Sequence, residues 1–404
     1  MPRTDDVLIG MGPDILRLRD DDGDGRADSR EVVLSGFGIQ DSHLLPHRFV
    51  RAPGDWVYLA QGAFNSSRVQ TGEGEVVAFD KCKVGRFRTD GSRFEVVGIG
   101  LNNIWGFVID RNGDKWIQEA NDLGFPLVPF EHGRSYPGIG MDRFHPYSPW
   151  HPPYAEFSMG GTGLSGLALS QDGEGFPPPW DETFFIANPI LSTVQSIRAT
   201  REESAPSDVQ LERASDLLTS DDKNFRPVAI HFGPDGCLYI VDWYNPIISH
   251  NEVPRDHPAR DRISSRIWRV RHSSQARRAP RDVSRAASSE LPMLLTSPST
   301  WTARAAWHQI ADRDAVELEP RLAELASDSS APARDRVLAL WSLQDTGSLS
   351  SELLAPLAAD AHHAIRREAA RLAGELEMPP AELARWLSWA VEESDPRVRR
   401  AALE

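Results

Sequence analysis

A chain of 404 residues, 40% hydrophobic and 25% charged, has the balance of a folded protein and is too long for one ordinary core, so two domains are expected. The formal net charge of −15 argues against a general nucleic-acid or anionic-membrane binder and is compatible with cation binding. Cys82 and Cys237 lie far apart and outside any CxxC or CxxCH pattern, which leaves a disulfide framework, a thiolate zinc site and attached c-type haem without support.

The N-terminus, Met1-Pro2-Arg3-Thr4-Asp5-Asp6, has neither the apolar stretch nor the small-residue cleavage site of a signal peptide, and at face value the chain is cytoplasmic. It enters strand-like sequence at once (Val7-Leu8-Ile9-Gly10), which raises the expectation that an upstream portion is missing.

Asp20-Asp21-Asp22-Gly23-Asp24-Gly25-Arg26-Ala27-Asp28-Ser29-Arg30-Glu31 follows. Taking Asp20 as the first position of a twelve-residue calcium loop, Asp22, Asp24, Asp28 and Glu31 fall at the other acidic positions, Gly25 at the sharp turn, and Arg26 where a backbone carbonyl coordinates. The flanks, Ile15 to Arg19 and Glu31 to Leu34, read as strands, so the expected site is a calcium-binding β-hairpin loop with a structural role. The alternative is a solvated acidic turn.

Asp41-Ser42-His43 and His47 precede the first of four similar hairpins, three of them an apolar strand, a Gly/Asp turn and a second apolar strand, the third in chain order a degenerate copy with an insertion between its strands. They are Arg48–Val50 with Trp56–Leu59, Trp105–Ile109 with Lys115–Ile117, Ser165–Leu169 with Thr183–Ala187, and Val228–Phe232 with Leu238–Val241. The period is about 60 residues, with further strand-like stretches such as Glu75–Phe79 and Ser192–Ile197 between the copies. Repeated four-strand units predict a β-propeller of six-bladed type over residues 1–272, incomplete at its N-terminus, in preference to a β-sandwich. Residues 273–289, rich in Arg, Ser and Ala, read as a linker.

From 290 to 404 alanine-rich helical periodicity takes over. Ala303–Trp307, Ala333–Leu338, Ile365–Ala370 and Val398–Leu403 share one phrase at a spacing of about 30–33 residues, and Asp395-Pro396 supplies an N-cap with proline in the first turn. This predicts an ARM/HEAT-type α-solenoid whose concave face holds a protein partner. The chain stops inside a repeat, which again raises the expectation of a fragment. The fold class is thus mainly β followed by α.

The segment "PGDWVYLAQG" after His43 resembles the substrate-side blade of soluble quinoprotein glucose/sorbosone dehydrogenases. More closely, the chain resembles large membrane-bound dehydrogenases of planctomycetes and verrucomicrobia over nearly its full length. The shared marks are Asp22-Gly23-Asp24-Gly25, Asp41-Ser42-His43, Phe225-Arg226-Pro227-Val228, Asp242-Trp243-Tyr244 and Arg266-Ile267-Trp268-Arg269, in that order. The resemblance implies oxidation of a sugar or related alcohol with pyrroloquinoline quinone, His43 (His47 second) acting as base, and a periplasmic or cell-envelope location.

Two departures qualify it. Asn102-Asn103 stands where the quinoproteins carry an Arg-Asn pair for the cofactor's carboxylates, and no CxxCH electron-accepting domain is present. Asn102, Asn103, Arg226 and Asp242 are the candidate cofactor contacts, although an arginine bracing one blade to the next reads equally well at Arg226. Trp243 reads as a core tryptophan. Phe144–Tyr154 reads as a rigid Pro-rich loop or as an aromatic cover over a sugar. A non-catalytic glycan- or protein-binding scaffold with a structural calcium loop is the competing reading of the whole chain.

Overall fold

The computed structural model describes residues 1–120, 126–136, 138, 159–202, 205–248, 253–254 and 256–402; the segment 144–154 lies outside them. The first strands are β1 (Val7–Met11), β2 (Asp14–Arg19) and β3 (Ser29–Ser35). Then come β4 (His47–Ala52), β5 (Trp56–Gln61), β6 (Ser66–Gln70), β7 (Val76–Asp80), β8 (Lys83–Arg88) and β9 (Phe94–Ile99). A third group is β10 (Ile104–Ile109), β11 (Lys115–Glu119), β12 (Leu127–Phe130) and β13 (Arg134–Ser135). Next are β14 (Ser165–Leu169), β15 (Thr183–Asn188), β16 (Thr193–Glu202) and β17 (Ala205–Thr219), and last β18 (Pro227–Phe232), β19 (Leu238–Asp242) and β20 (Arg266–Val270).

They form five sheets with strand orders β1-β2-β3-β6-β7, β4-β5-β8-β9-β13, β10-β11-β12, β14-β15-β16-β17 and β18-β19-β20. The four hairpins read from the sequence are antiparallel pairs that each open a sheet: β4–β5, β10–β11, β14–β15 and β18–β19. Their first strands lie side by side in chain order. All four carry a register irregularity near their start, between His47 and Val50, Ile104 and Gly106, Ser165 and Leu167, and Pro227 and Ala229. A bulge increases local twist and re-aims the strand, which suits elements converging on one place. Glycine is required at two of these points. A Cβ on Gly106 would lie 2.4 Å from Leu167 Cβ, and Gly166, at φ +73°, faces the Ala229 Cα.

Every residue of β5 is buried, as its unbroken apolar run Trp56-Val57-Tyr58-Leu59-Ala60 implies for a strand covered on both faces. In β7 half-buried residues alternate with exposed ones, the pattern of a strand with one wet face.

The helices are α1 (Leu291–Leu295), α2 (Thr300–Asp312), α3 (Glu319–Ser327), α4 (Ala333–Asp345), α5 (Ser351–Leu357), α6 (His363–Ala373), α7 (Pro380–Glu392) and α8 (Pro396–Ala401). The expected cap of the last one is present, with the Asp395 side chain accepting from Arg397 N. One apolar core runs from Ala52, Trp56, Tyr58 and Ile109 of the sheets into Trp307, Leu338, Trp341 and Ile365 of the helices.

Polar anchors fasten that seam to the hairpin turns. Asp345, closing α4, accepts from Gly54 N and Asp55 N and from Trp307 Nε1 at 2.7 Å. Arg304 of α2 donates to the Ile109 and Asp110 carbonyls, and Arg367 of α6 to the Asn112 carbonyl and the Asp114 carboxylate. Ser299 and Thr300, at the start of α2, bind Asp172 and Gln171 O. These side chains of α2, α4 and α6 are therefore taken up by the chain's own turns. Within 273–289, Gln275 is buried and donates to Asp235 O at 3.1 Å, and Val283 belongs to the helical core.

Candidate functional site

An antiparallel hairpin places the start of its first strand and the end of its second at the same edge of a sheet. His43 precedes β4, Asn102 and Asn103 precede β10, Arg226 precedes β18 and Asp242 closes β19, so all five lie at one end. The hairpin turns and the helices occupy the other. Contacts between neighbouring sheets keep the ends aligned: His47 Nε2 meets Ile104 O at 2.6 Å, and Ser165 Oγ donates to Val228 O at 2.6 Å.

His43 is exposed. Its Nδ1 lies 3.0 Å from Asp41 Oδ1, and its backbone N–H donates to the same oxygen at 3.0 Å. A carboxylate beside Nδ1 orients the imidazole ring and favours the tautomer protonated at that nitrogen. His47 serves the framework. Its two ring nitrogens face Leu45 O and Ile104 O, each at 2.6 Å, its ring packs on Trp105, and burial holds its pKa down. It ties β4 to β10.

Asn102 is buried, and Asn103 N lies 3.4 Å from Glu119 Oε1 at the end of β11. The Arg226 guanidinium donates to Asn245 O at 3.0 Å, Pro189 O at 2.9 Å and Ser192 Oγ at 3.1 Å, bracing the fourth sheet to the fifth. Asp242 is wholly buried. It accepts from Arg226 N (2.8 Å), Tyr244 N (2.9 Å), Arg266 Nε (2.7 Å) and Trp268 Nε1 (3.0 Å). Burial alone would raise its pKa, but these bonds outweigh it and hold the carboxyl below its usual range. The FRPV, DWY and RIWR phrases are thus the parts of one latch that closes the last sheet.

One residue here escaped the sequence reading. Arg48 sits in β4 at φ 57°, a left-handed conformation uncommon for arginine. Its side chain reaches across to Leu167 O of β14 at 3.5 Å and shares the neighbourhood of His231 on β18, so it crosses the place where the first strands converge. Its Nε is shut off from solvent without an acceptor, and burial lowers its pKa to about 10. His231 is pushed down to about 4 by burial and by Arg48. The signal in the sequence was an arginine opening a strand otherwise read as core.

In the acidic loop between β2 and β3, Asp20, Asp22 and Asp28 bring one carboxylate oxygen each within 4.8 Å of one another. Backbone amides shape the loop: Gly23 N and Gly25 N donate to Asp20, Asp24 N to Asp22, Arg26 N to Asp24 and Asp21 N to Asp28. Glu31 is not with them; it lies on β3, paired with Arg17 Nη1 at 2.8 Å. The loop joins two strands, so the twelfth position is carried away along β3, where an EF-hand would fold it back on a helix.

A profile of the family described as "Domain of unknown function (DUF7133)" matches residues 1–274. The chain belongs to this family. The match ends four residues after β20, so it spans all five sheets. No curated protein matches the chain. Among solved structures it is similar to a glucose dehydrogenase (19% identity, TM-score 0.41, covering 66% of this chain and 78% of that one). It is also similar to the soluble aldose sugar dehydrogenase from Escherichia coli in the apo form (15%, 0.39, 59% and 74%). A third is the PQQ-bound aldose sugar dehydrogenase from Streptomyces coelicolor (15%, 0.30, 60% and 85%). Among the described residues, no helix is long and apolar enough to cross a membrane.

Proposed function

We propose that residues 1–272 are a dehydrogenase-like β-propeller and that its His43 end receives a sugar or related alcohol. Residues 273–289 join it to HEAT-like repeats over 290–404. The observation that carries this reading is the His43–Asp41 pair standing at the same end of the sheets as Arg48, the one described cation that crosses their convergence with a buried donor unpaired.

His43 takes the hydroxyl proton at Nε2, and Asp41 stabilises the imidazolium that results. Bound pyrroloquinoline quinone would supply the hydride acceptor. The residues present fit it in one respect: the orphaned Nε of Arg48 offers a charged donor to a carboxylate, which the amide of Asn102 cannot. Arg48, Asn102 and Asn103 would hold the group. Arg226 and Asp242, spent on the latch, orient the loops without touching it. Asp20, Asp22 and Asp28, with the Arg26 carbonyl and Asp24 beside them, would hold a structural calcium ion. A periplasmic or cell-envelope home accords with such chemistry.

Reconstitution with pyrroloquinoline quinone and calcium, followed by dye-linked oxidation of a sugar panel, tests the reading. Turnover should fall by at least about 100-fold in His43→Ala. Turnover equal in wild type and variant, or none in either, would leave the scaffold reading in its place.

A further inference from the structure

At the opposite end of the sheets, the β4–β5 turn, β8 and the β10–β11 turn face α4 and α6 across a cavity of about 410 Å³. Its lining includes Trp56, Arg86, Arg88, Arg93, Lys115 and Arg371. Five cations there meet two lining carboxylates, Glu368 and Glu375, in a chain whose net charge is −15. The carboxylates that meet the four arginines are shared: Glu95 by Arg86 (2.7 Å) and Arg93 (2.6 Å), Glu368 by Arg371 (2.9 Å) and Arg367 (3.3 Å), and Glu375 by Arg371 (3.3 Å) and, at 4.0 Å, Arg88.

Two further observations point to a missing acceptor. Trp56 is 2% exposed, with the Arg86 and Arg88 guanidinium carbons 4.1 and 4.2 Å from its ring centroid, yet its indole Nε1 is buried without a hydrogen-bond partner. An unmet buried donor forfeits its hydration with nothing in return, so such groups are rare without a reason. His132, also in the lining, is driven well below its usual pKa by burial and then by Lys115, Arg86 and Arg371, which registers the positive field. A neighbouring hollow of about 70 Å³ shares Lys115, His132 and Arg371, and there Arg367 and Arg400 are paired with Asp114 and Glu131.

We propose that this cavity binds a small organic polyanion, whose phosphate or carboxylate oxygens are held by Arg86, Arg88, Arg93 and Trp56 Nε1 at the seam between sheets and helices. Guanidinium groups recognise either kind of oxygen through paired donors, and the partly enclosed setting strengthens each contact. Because β5, β8 and α6 all line the site, an occupant clamps the helices to the sheets.

The test is isothermal titration of the full chain with inorganic phosphate, citrate, glucose 6-phosphate and, as neutral control, glucose. At least one anion should bind with a dissociation constant below about 1 mM at low salt and weaken as salt rises, while glucose does not bind. Arg88→Gln should weaken that binding by about tenfold. Arg93→Gln, at a side chain 61% exposed and so safe for folding, should weaken it too. Binding of both phosphates but not citrate assigns a phosphorylated ligand, and binding of citrate alone a polycarboxylate. No saturable binding by any anion below about 10 mM, or equal affinity in wild type and both variants, overturns the site.

Discussion

The two ends of the same hairpins have been put to opposite uses. At the His43 end, loops entering the first strands carry polar groups that face outward or across the convergence, and an exposed histidine is held by one carboxylate. At the turn end, the short β4–β5 and β10–β11 turns give their amides and carbonyls to α2, α4 and α6, and the longer β14–β15 connection binds the start of α2. An end closed by helices is a rigid base, and an end without them is free to present chemistry, which is why binding residues concentrate on loops held by such a scaffold. The latch at Asp242 shows that the open end is not uniformly available either.

The largest expected effect tests that latch. Asp242→Ala would leave the Arg226 and Tyr244 amides, Arg266 and Trp268 Nε1 without their buried acceptor, at a cost of about 3–5 kcal/mol by urea denaturation. A loss below about 1 kcal/mol would mean the latch is ornamental and would return Asp242 to the candidate contacts.

The seam is probed next by pH. Burial raises the Asp345 carboxyl to about 6 against the donation of Gly54, Asp55 and Trp307. A raised acid favours the folded state fully below its unfolded value and loses that advantage as pH climbs through about 6. Wild-type stability should therefore improve relative to Asp345→Asn by up to about 3 kcal/mol as pH falls from 7 to 4. Parallel pH profiles for the two proteins would mean that Asp345 is not buried at the turn.

Calcium at 100 times its dissociation constant should stabilise the protein by about 2.7 kcal/mol, read as a rise in Tm, and Asp22→Ala should abolish that response. Glu31→Gln sharpens the point. It breaks only a surface pair with Arg17, so stability should change by less than about 1 kcal/mol with the calcium response intact. A lost response would restore Glu31 to the ligand set.

Hairpins were legible because their turns need Gly54, Gly113 and Gly236 at positive φ, and such a requirement is written in one residue type. The helical phrase was legible for a similar reason, since Arg304 and Arg367 recur at the positions that reach the turns. Site chemistry was harder. Arg226 and Arg48 look alike in a string of letters, yet one is satisfied by Pro189, Ser192 and Asn245 and the other is left with an unmet Nε. Only the strand bulges and the approach of distant sheets separate them. The basic cavity was invisible for the same reason: Arg86, Arg88 and Arg93 meet Arg371 only because α6 docks on the second and third sheets.

The division of labour between the two ends meets its most direct test in catalysis. Dye-linked oxidation by the quinone- and calcium-loaded protein should collapse in both His43→Ala and Arg48→Gln with their folds intact by circular dichroism. Activity that survives both changes would place the chemistry elsewhere and contradict the account.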